Sequence, residues 1–432
     1  MKYLPINPVL FTENRKRFCA NMLPNSVAFF NSNDEFPRGG DQFFKFKQNA
    51  DLFYLSGIDQ EKSILMLFPD APLEKFKEVL FLRETNEHIA VWEGHKYTKE
   101  EATATSGVKT IIWLDSFPNV LKEVMAHAEN VYLNSNEHTR YDSEVPYRDL
   151  RFGLDLKTKF PFHQYHRSAP IMVKLRTIKQ DIEIELIKQA CGITRDAFIR
   201  LLGFVKPGVM EFEVQAEIEH EFIRKRSDGH AYTPIIASGK SACILHYIEN
   251  NRECKDGDLL LLDFGAEYAN YASDLSRTIP VNGKFSPRQK DCYNAILRVM
   301  KNAIQMLVPG TTIDVYHKEV CKMMEAEMIG LGLFTQEDVK NQDPDKPLYM
   351  KYYPHGTSHY LGLDVHDLGY KQTVLEEGMV FTCEPGLYIP EEGIGIRIEN
   401  DILVTNNGPV DLMSDIPVEV DEIEAIMAKQ EN

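Results

Sequence analysis

Four consecutive leucines, Leu259 to Leu262, run directly into Asp263, Phe264 and Gly265. A short apolar run of that kind reads as a buried strand. A buried strand does not end in an ionised carboxylate unless something compensates the charge. A turn-like stretch, Glu267 to Tyr271, then leads to a second segment that carries Asp274. Two strands joined in this way form a hairpin, and both aspartates can face one side of it. A single aspartate here would ordinarily cap a turn, but the pattern recurs. Met379 to Cys383 is another apolar run, with Glu384-Pro385-Gly386 at its end. In Gly395-Ile396-Arg397-Ile398-Glu399 the alternation puts Arg397 and Glu399 on one face, away from Ile396 and Ile398. Four acidic residues in four apolar strands are hard to read as solvated surface, and Arg397 cannot neutralise them all.

The segments that precede these strands also repeat. Ile182, Leu186, Ile187, Ala190, Ile193, Ala197, Phe198 and Leu201 recur at helical spacing, and the helix stops at Lys206-Pro207-Gly208. A second helix follows, with Val214, Ile218 and Phe222 on one face. Ser286-Pro287 starts a third, as cap residue and first-turn proline. It runs to Val308-Pro309-Gly310, and a fourth begins near Ile313. Two copies of helix, Pro-Gly break and helix, each followed by strands, indicate an internally duplicated domain.

Before Glu384 lie His355, His359 and His366, within twelve residues of a glycine-punctuated loop. One histidine there would more often be structural; three indicate a site. Four carboxylates and an imidazole suit two divalent ions better than a tetrahedral zinc site of sulfur and nitrogen. The four negative charges balance two dications and leave room for a shared hydroxide. Such a pair, about 3.5–4 Å apart, makes a nucleophile from water and polarises a carbonyl. The chemistry expected is metal-assisted hydrolysis.

From about Asn25 to Phe160 short apolar runs (Ser26–Phe30, Ser63–Phe68, Glu78–Leu82, Thr110–Leu114, Asn130–Leu133) interleave with helical ones, as in a small α/β domain. Gly39 and Gly40 lack the spacing of a phosphate-cradling loop. The polar stretch His163 to Pro170 reads as a domain boundary, and Phe53, Tyr54 and Trp92 read as core. Cys383 is expected on the strand face opposite Glu384. Gln336 to Pro347 reads as a surface loop, and Glu419 to Asn432 as a solvated tail or short helix.

Composition narrows the partners. The net charge of -17, from 65 acidic and 48 basic residues, repels phosphate backbones and anionic membranes, so neither nucleic acid nor membrane is expected. The segment Met1 to Pro24 lacks the basic-then-apolar form of a secretory signal. The seven cysteines are scattered, odd in number and without a CxxC pair, which fits a reducing cytoplasm.

As an ordered set, Leu262-Asp263-Phe264-Gly265 with Asp274, His355-Gly356-x-x-His359-x-x-Gly362-x-x-x-His366, Glu384-Pro385-Gly386 and Arg397-Ile398-Glu399 resemble the pita-bread metallopeptidases. Within that group the chain looks most like the Xaa-Pro aminopeptidase (aminopeptidase P) family, over nearly its whole length. The resemblance implies an α/β N-terminal domain of the creatinase/aminopeptidase P type, residues 1–165, that serves oligomerisation and walls the active site. It also implies an α+β pita-bread catalytic domain, residues 175–432, with an internal pseudo-two-fold duplication. Asp263, Asp274, His359, Glu384 and Glu399 would hold two divalent ions, with Asp274 and Glu399 bridging. Manganese suits so oxygen-rich a site, with cobalt, zinc or iron as alternatives. Glu384 would also shuttle protons, and Arg397 would orient its neighbours. His246, His355 and His366 match substrate-side histidines, His355 lining the pocket for the proline ring. The implied substrates are peptides with proline in second position, and the implied assembly is a homodimer or homotetramer. The same metal site would serve an Xaa-Pro dipeptidase (prolidase), and a non-catalytic pita-bread binding module is the alternative of another class. Methionine aminopeptidases usually lack such an N-terminal domain.

Overall fold

A computed structural model describes residues 3–429. They divide into two compact units, Tyr3–Arg176 and a second that begins at Thr177.

The first unit is built on a sheet of six strands: β1 (Ser26–Asn31), β2 (Ile64–Leu67), β3 (Glu78–Leu82), β4 (Thr110–Trp113), β5 (Asn130–Leu133) and β6 (Gln164–Arg167). Their order is β4-β3-β2-β1-β5-β6. The strand β1 runs parallel to β5 and antiparallel to β2. Every residue of β1 and β2 is buried, so both faces of the sheet's centre are covered. Phe53 and Tyr54 lie in the core as the sequence indicates, on the helix Ala50–Ser56. Trp92 does not: it is 79% exposed. The seven-residue helix Glu87–Glu93 that carries it buries none of its residues, so the indole stands in solvent despite its hydrophobicity. The unit also ends later than the polar stretch suggests. Part of that stretch is β6, paired in parallel with β5, and the helix Ala169–Arg176 follows within the same unit.

The second unit repeats one plan. Helices α1 (Asp181–Leu202) and α2 (Glu211–Arg224) precede β7 (Ile235–Ser238), β8 (Leu259–Phe264) and β9 (Leu275–Pro280). Helices α3 (Pro287–Ile304) and α4 (Ile313–Gly330) precede β10 (Val380–Cys383), β11 (Gly386–Ile389), β12 (Ile394–Arg397) and β13 (Asn400–Leu403). The stripe on α1 is buried from Ile187 to Leu201, as are Val214, Ile218 and Phe222 on α2. Ser286 caps α3 reciprocally, its hydroxyl accepting from the Gln289 N–H while Gln289 accepts from the Ser286 N–H at 2.8 Å. The helix ends at Ile304, short of Val308. Gln336 to Pro347 contributes the exposed helix Gln336–Lys340. The final helix, Val420–Ala428, buries Ile423 and Met427 and so is more than a solvated tail; residues 430–432 lie outside the described residues. Among the described residues no helix is long and apolar enough to cross a membrane.

Candidate metal centre

The strands β8 and β9 pair antiparallel with Asp263 opposite Ser276, which brings Asp274, just before β9, to the same end of the ladder. Between them the chain makes a smaller hairpin, Ala266–Tyr268 against Tyr271–Ala272. Its tip, Ala269 and Asn270, has φ of 53° and 66°, the left-handed pair that a tight two-residue turn requires. Gly265 allows this hairpin to close: a Cβ there would stand 1.7 Å from the Ser273 carbonyl oxygen and 3.1 Å from the Tyr232 ring. The Ala231 N–H donates to the Gly265 carbonyl and draws Tyr232 alongside. The Tyr232 hydroxyl then lies 2.6 Å from Asp263 Oδ1 and 2.5 Å from Asp274 Oδ1. It has one proton, so it can satisfy only one of the two carboxylates at a time.

The second half supplies the other two carboxylates where its ladder changes partner. Cys383 pairs with Asn400 and Gly386 with Arg397, so Glu384 and Glu399 emerge together between the two strand pairs. A bridge between Ser276 and Glu399 joins the halves. Ser276 Oγ donates to Glu399 Oε2 at 2.7 Å and accepts from Arg397 Nε at 2.8 Å. Arg397 also donates to the Tyr388 hydroxyl at 2.8 Å and pairs with Asp263 Oδ2 at 2.5 Å. Cys383 points the other way, accepting from the Tyr316 hydroxyl at 3.3 Å.

His359 Nδ1 faces the Tyr360 carbonyl at 3.0 Å, which leaves Nε2 aimed at Asp274 Oδ2 (3.4 Å) and Glu384 Oε1 (3.6 Å). A carbonyl that holds one ring nitrogen is the usual means of orienting a metal-binding imidazole. One ligand atom each from Asp274, His359 and Glu399 lie within 4.8 Å of one another. Asp263 joins this group through Tyr232, and Glu384 through His359. The structure therefore gathers all five residues that the sequence indicates.

Burial is the leading cause of the shifts in this cluster. It raises Asp263, pushes Glu399 well above the ordinary carboxylate range and lifts Glu384 to about 7, each reinforced by the neighbouring carboxylates. Burial opposes charge on His359, but its hydrogen bond to Asp274 and the nearby Glu384 outweigh that and raise it to about 9. Carboxylates that oppose one another's ionisation are a set that cations would satisfy, reversing these shifts. The donors are carboxylate oxygens and one imidazole nitrogen, with no thiolate turned inward. That chemistry fits hard-to-borderline divalent ions.

The remaining histidines differ in setting. His355 is half-buried, with Nε2 2.9 Å from the Tyr388 hydroxyl and Nδ1 3.9 Å from Glu384 Oε2. Burial, then Arg397, drives its proton off and holds its pKa down at about 3. His366 is exposed and sets its ring edge-to-face with His359, centroids 4.4 Å apart. His246 is exposed on the turn after β7. Tyr232, Ser276, Tyr388 and Asp401, whose carboxylate accepts the Asp274 N–H at 3.0 Å, complete the surroundings. None carries a motif in the sequence. Only Ser276 was within reach, since drawing the Asp263 hairpin in register places it opposite.

Two family models match the chain: Metallopeptidase family M24 over residues 185–406 and Aminopeptidase P, N-terminal domain, over residues 11–132. The Xaa-Pro aminopeptidase of Haemophilus influenzae is 36% identical over 429 residues, which span 96% of each chain. Among solved structures, Pseudomonas aeruginosa aminopeptidase PepP is similar with a TM-score of 0.90 at 31% identity, over 100% of both chains. Aminopeptidase P from Escherichia coli with the inhibitor Pro-Leu gives 0.87 at 30% identity, over 99% of this chain and 100% of that one.

Proposed function

This chain belongs to metallopeptidase family M24, and from that membership we propose how its buried cluster cleaves the bond before a second-position proline. The activity is metal-dependent hydrolysis of the N-terminal Xaa-Pro bond of peptides. What carries the reading is the convergence of Asp274, His359 and Glu399 on one point, flanked by Asp263 and Glu384. We assign these five as the residues that would hold two divalent ions, Asp274 and Glu399 lying with His359 at the centre of the group. When bound, the ions supply an acidified water and a polarised substrate carbonyl.

The chain's own groups handle protons, charge and fit. Glu384 takes a proton from the attacking water and passes it to the leaving nitrogen, a role suited to a carboxylate placed beside His359 at the cluster. A proline nitrogen carries no hydrogen before cleavage, so the site recognises the ring by shape and cannot use an N–H donor. His355, kept neutral, and His246 are the groups we place against that ring. An uncharged imidazole avoids burying a charge against apolar carbon. His366 offers a donor to the developing oxyanion. Arg397, tied to Asp263, Ser276 and Tyr388, fixes its neighbours' orientation.

Manganese is the ion we assign, because four of the five ligands are carboxylates; along the divalent series affinity rises towards copper, so cellular supply governs occupancy. Unpaired cysteines throughout the chain support a cytoplasmic setting, and the net charge of -17 supports the exclusion of nucleic acid. We place self-association, as a homodimer or homotetramer, in the N-terminal unit.

The test is hydrolysis of Ala-Pro, Ala-Pro-Ala-Ala and Ala-Ala-Ala-Ala after reconstitution with manganese, cobalt, zinc or iron. Alanine is expected from the proline tetrapeptide, with little from the all-alanine one. Cleavage of the dipeptide alone would make the enzyme an Xaa-Pro dipeptidase. Two bound ions without any cleavage would make the chain a binding module.

A further inference from the structure

At Ser238 the chain leaves the sheet, turns through the short helix Gly239–Cys243, passes His246 and returns at Arg252. The returning strand lies against the start of α2: the Glu211 N–H donates to the Arg252 carbonyl, and the Cys254 N–H to that of Val209. His246, Ile244 and Ile248 are exposed on this excursion, while Tyr247 is buried and Leu245 packs partly buried beside it.

Beneath it sits Glu211, 0% exposed. Its Oε1 accepts from both the N–H and the hydroxyl of Ser238 at 2.7 Å. Its Oε2 accepts from the Tyr247 hydroxyl at 2.7 Å and the Arg252 N–H at 2.9 Å. Four donors fill a carboxylate's acceptor sites. As the first residue of α2, it also lies where the helix favours negative charge. Those donors come from the loop's departure, its middle and its return, so one buried group fixes all three. Tyr247, the residue after His246, packs in a cluster with Ala242, Leu261 and Tyr388. Tyr388 in turn holds His355 and Arg397 through its hydroxyl.

We propose that Glu211 is a positioning residue for the reaction, holding the 239–251 excursion so that His246 meets the substrate against the Tyr388 wall. This rests on the substrate-side assignment of His246 made above. Asn250 also ties the end of the excursion down, accepting from the Ile236 N–H and donating to the Pro234 carbonyl, but Glu211 binds its departure, middle and return together.

The test is E211Q, H246A, the double variant and Y247F in the full, manganese-loaded chain, assayed on Ala-Pro-Ala-Ala. Gln keeps one acceptor and turns an NH2 towards two of the donors. E211Q is expected to raise KM about tenfold, as the loss of hydrogen bonds to a charged group does. Its kcat and ion content should stay near those of the parent. In the H246A background E211Q should add little, since coupled residues do not act additively. Y247F removes one bond without placing a new donor in the core, and a rise in KM there carries the proposal even if E211Q fails to fold. The proposal is overturned if E211Q lowers kcat/KM by the same factor with or without His246, if both loop variants match the parent, or if Y247F lowers kcat at constant KM. H246A with unchanged KM overturns the premise instead, and would leave the metal site and the Xaa-Pro activity untouched.

Discussion

Asp149, in the first unit, is buried far from the metal ligands in sequence and is answered only by neutral donors. Its Oδ1 accepts from the Asn31 N–H and Nδ2, and its Oδ2 from Asn134 Nδ2. Burial outweighs these bonds and lifts the carboxyl to about 7, against roughly 3.9 in an unfolded chain. The folded form therefore binds the proton more tightly. The stability this group contributes grows as pH falls from 8 through 7, levels off below the unfolded value, and is lost as pH rises through about 7. Asn31 Oδ1 and Asn134 Oδ1 are also buried without partners. An amide at position 149 can keep the Asn31 bonds and, with the Asn134 amide turned, donate to one of those idle oxygens. D149N is thus expected to melt a few degrees above the parent at pH 8, with the gap closing by pH 5. Thermal unfolding of both chains across that range checks it; a constant gap, or a variant that is less stable at pH 8, would count against this account. The carboxylates of the metal centre meet the same burial, but their answer is cationic.

At the scale of elements, the Asp263 hairpin depends on one missing methyl. A Cβ on Gly265 would overlap the Ser273 carbonyl, and a backbone oxygen cannot swing aside as a side chain can. G265A is therefore expected to part Asp263 from Asp274, lowering ion content below two per chain and destabilising the unit by about 1–3 kcal/mol. Metal analysis beside a melting curve measures both, and retention of both ions with parental stability would refute it. This hairpin also marks where sequence reading succeeds and stops. Leu259 to Asp263 was legible because a carboxylate at the end of an apolar run conflicts with burial. The strands β1 to β5 and the helices α1 to α4 were legible from periodicity and caps, all of which are local signals. Tyr232 was not, because its place is set by the Ala231–Gly265 hydrogen bond across the fold. Asp401 was hidden likewise: only the meeting of β13 with the Asp274 backbone gives it a role. Trp92 failed for the opposite reason, since hydrophobicity says what burial would gain and not whether a neighbouring element exists to provide it.

For the molecule as a whole, the residues assigned to the ions all lie in one of the two units. The first unit closes around β1 to β6 without any of the five ligands. The second holds all five, the carboxylates at or beside the ends of strands near the Ser276–Glu399 bridge and His359 on the loop before β10, so the junction of its two halves is also where its buried negative charge collects. Ions that bind only the folded state stabilise it by about 4 kcal/mol for each site held at a thousandfold excess over Kd. Their removal also leaves the ionisation of Asp263, Glu384 and Glu399 opposed by burial and by neighbouring carboxylates. Chelation at pH 8 is therefore expected to lower the melting of the second unit and to speed amide exchange in β8, β9 and β10 to β13. Exchange in β1 and β5 should be unchanged, because no ligand lies in that sheet. Hydrogen exchange with and without EDTA, read peptide by peptide, makes the comparison. Equal loss of protection in both units would mean that the ions stabilise the chain as one cooperative body. No loss in either would mean that the carboxylates tolerate one another without cations, and the electrostatic case for the metal centre would fall with it.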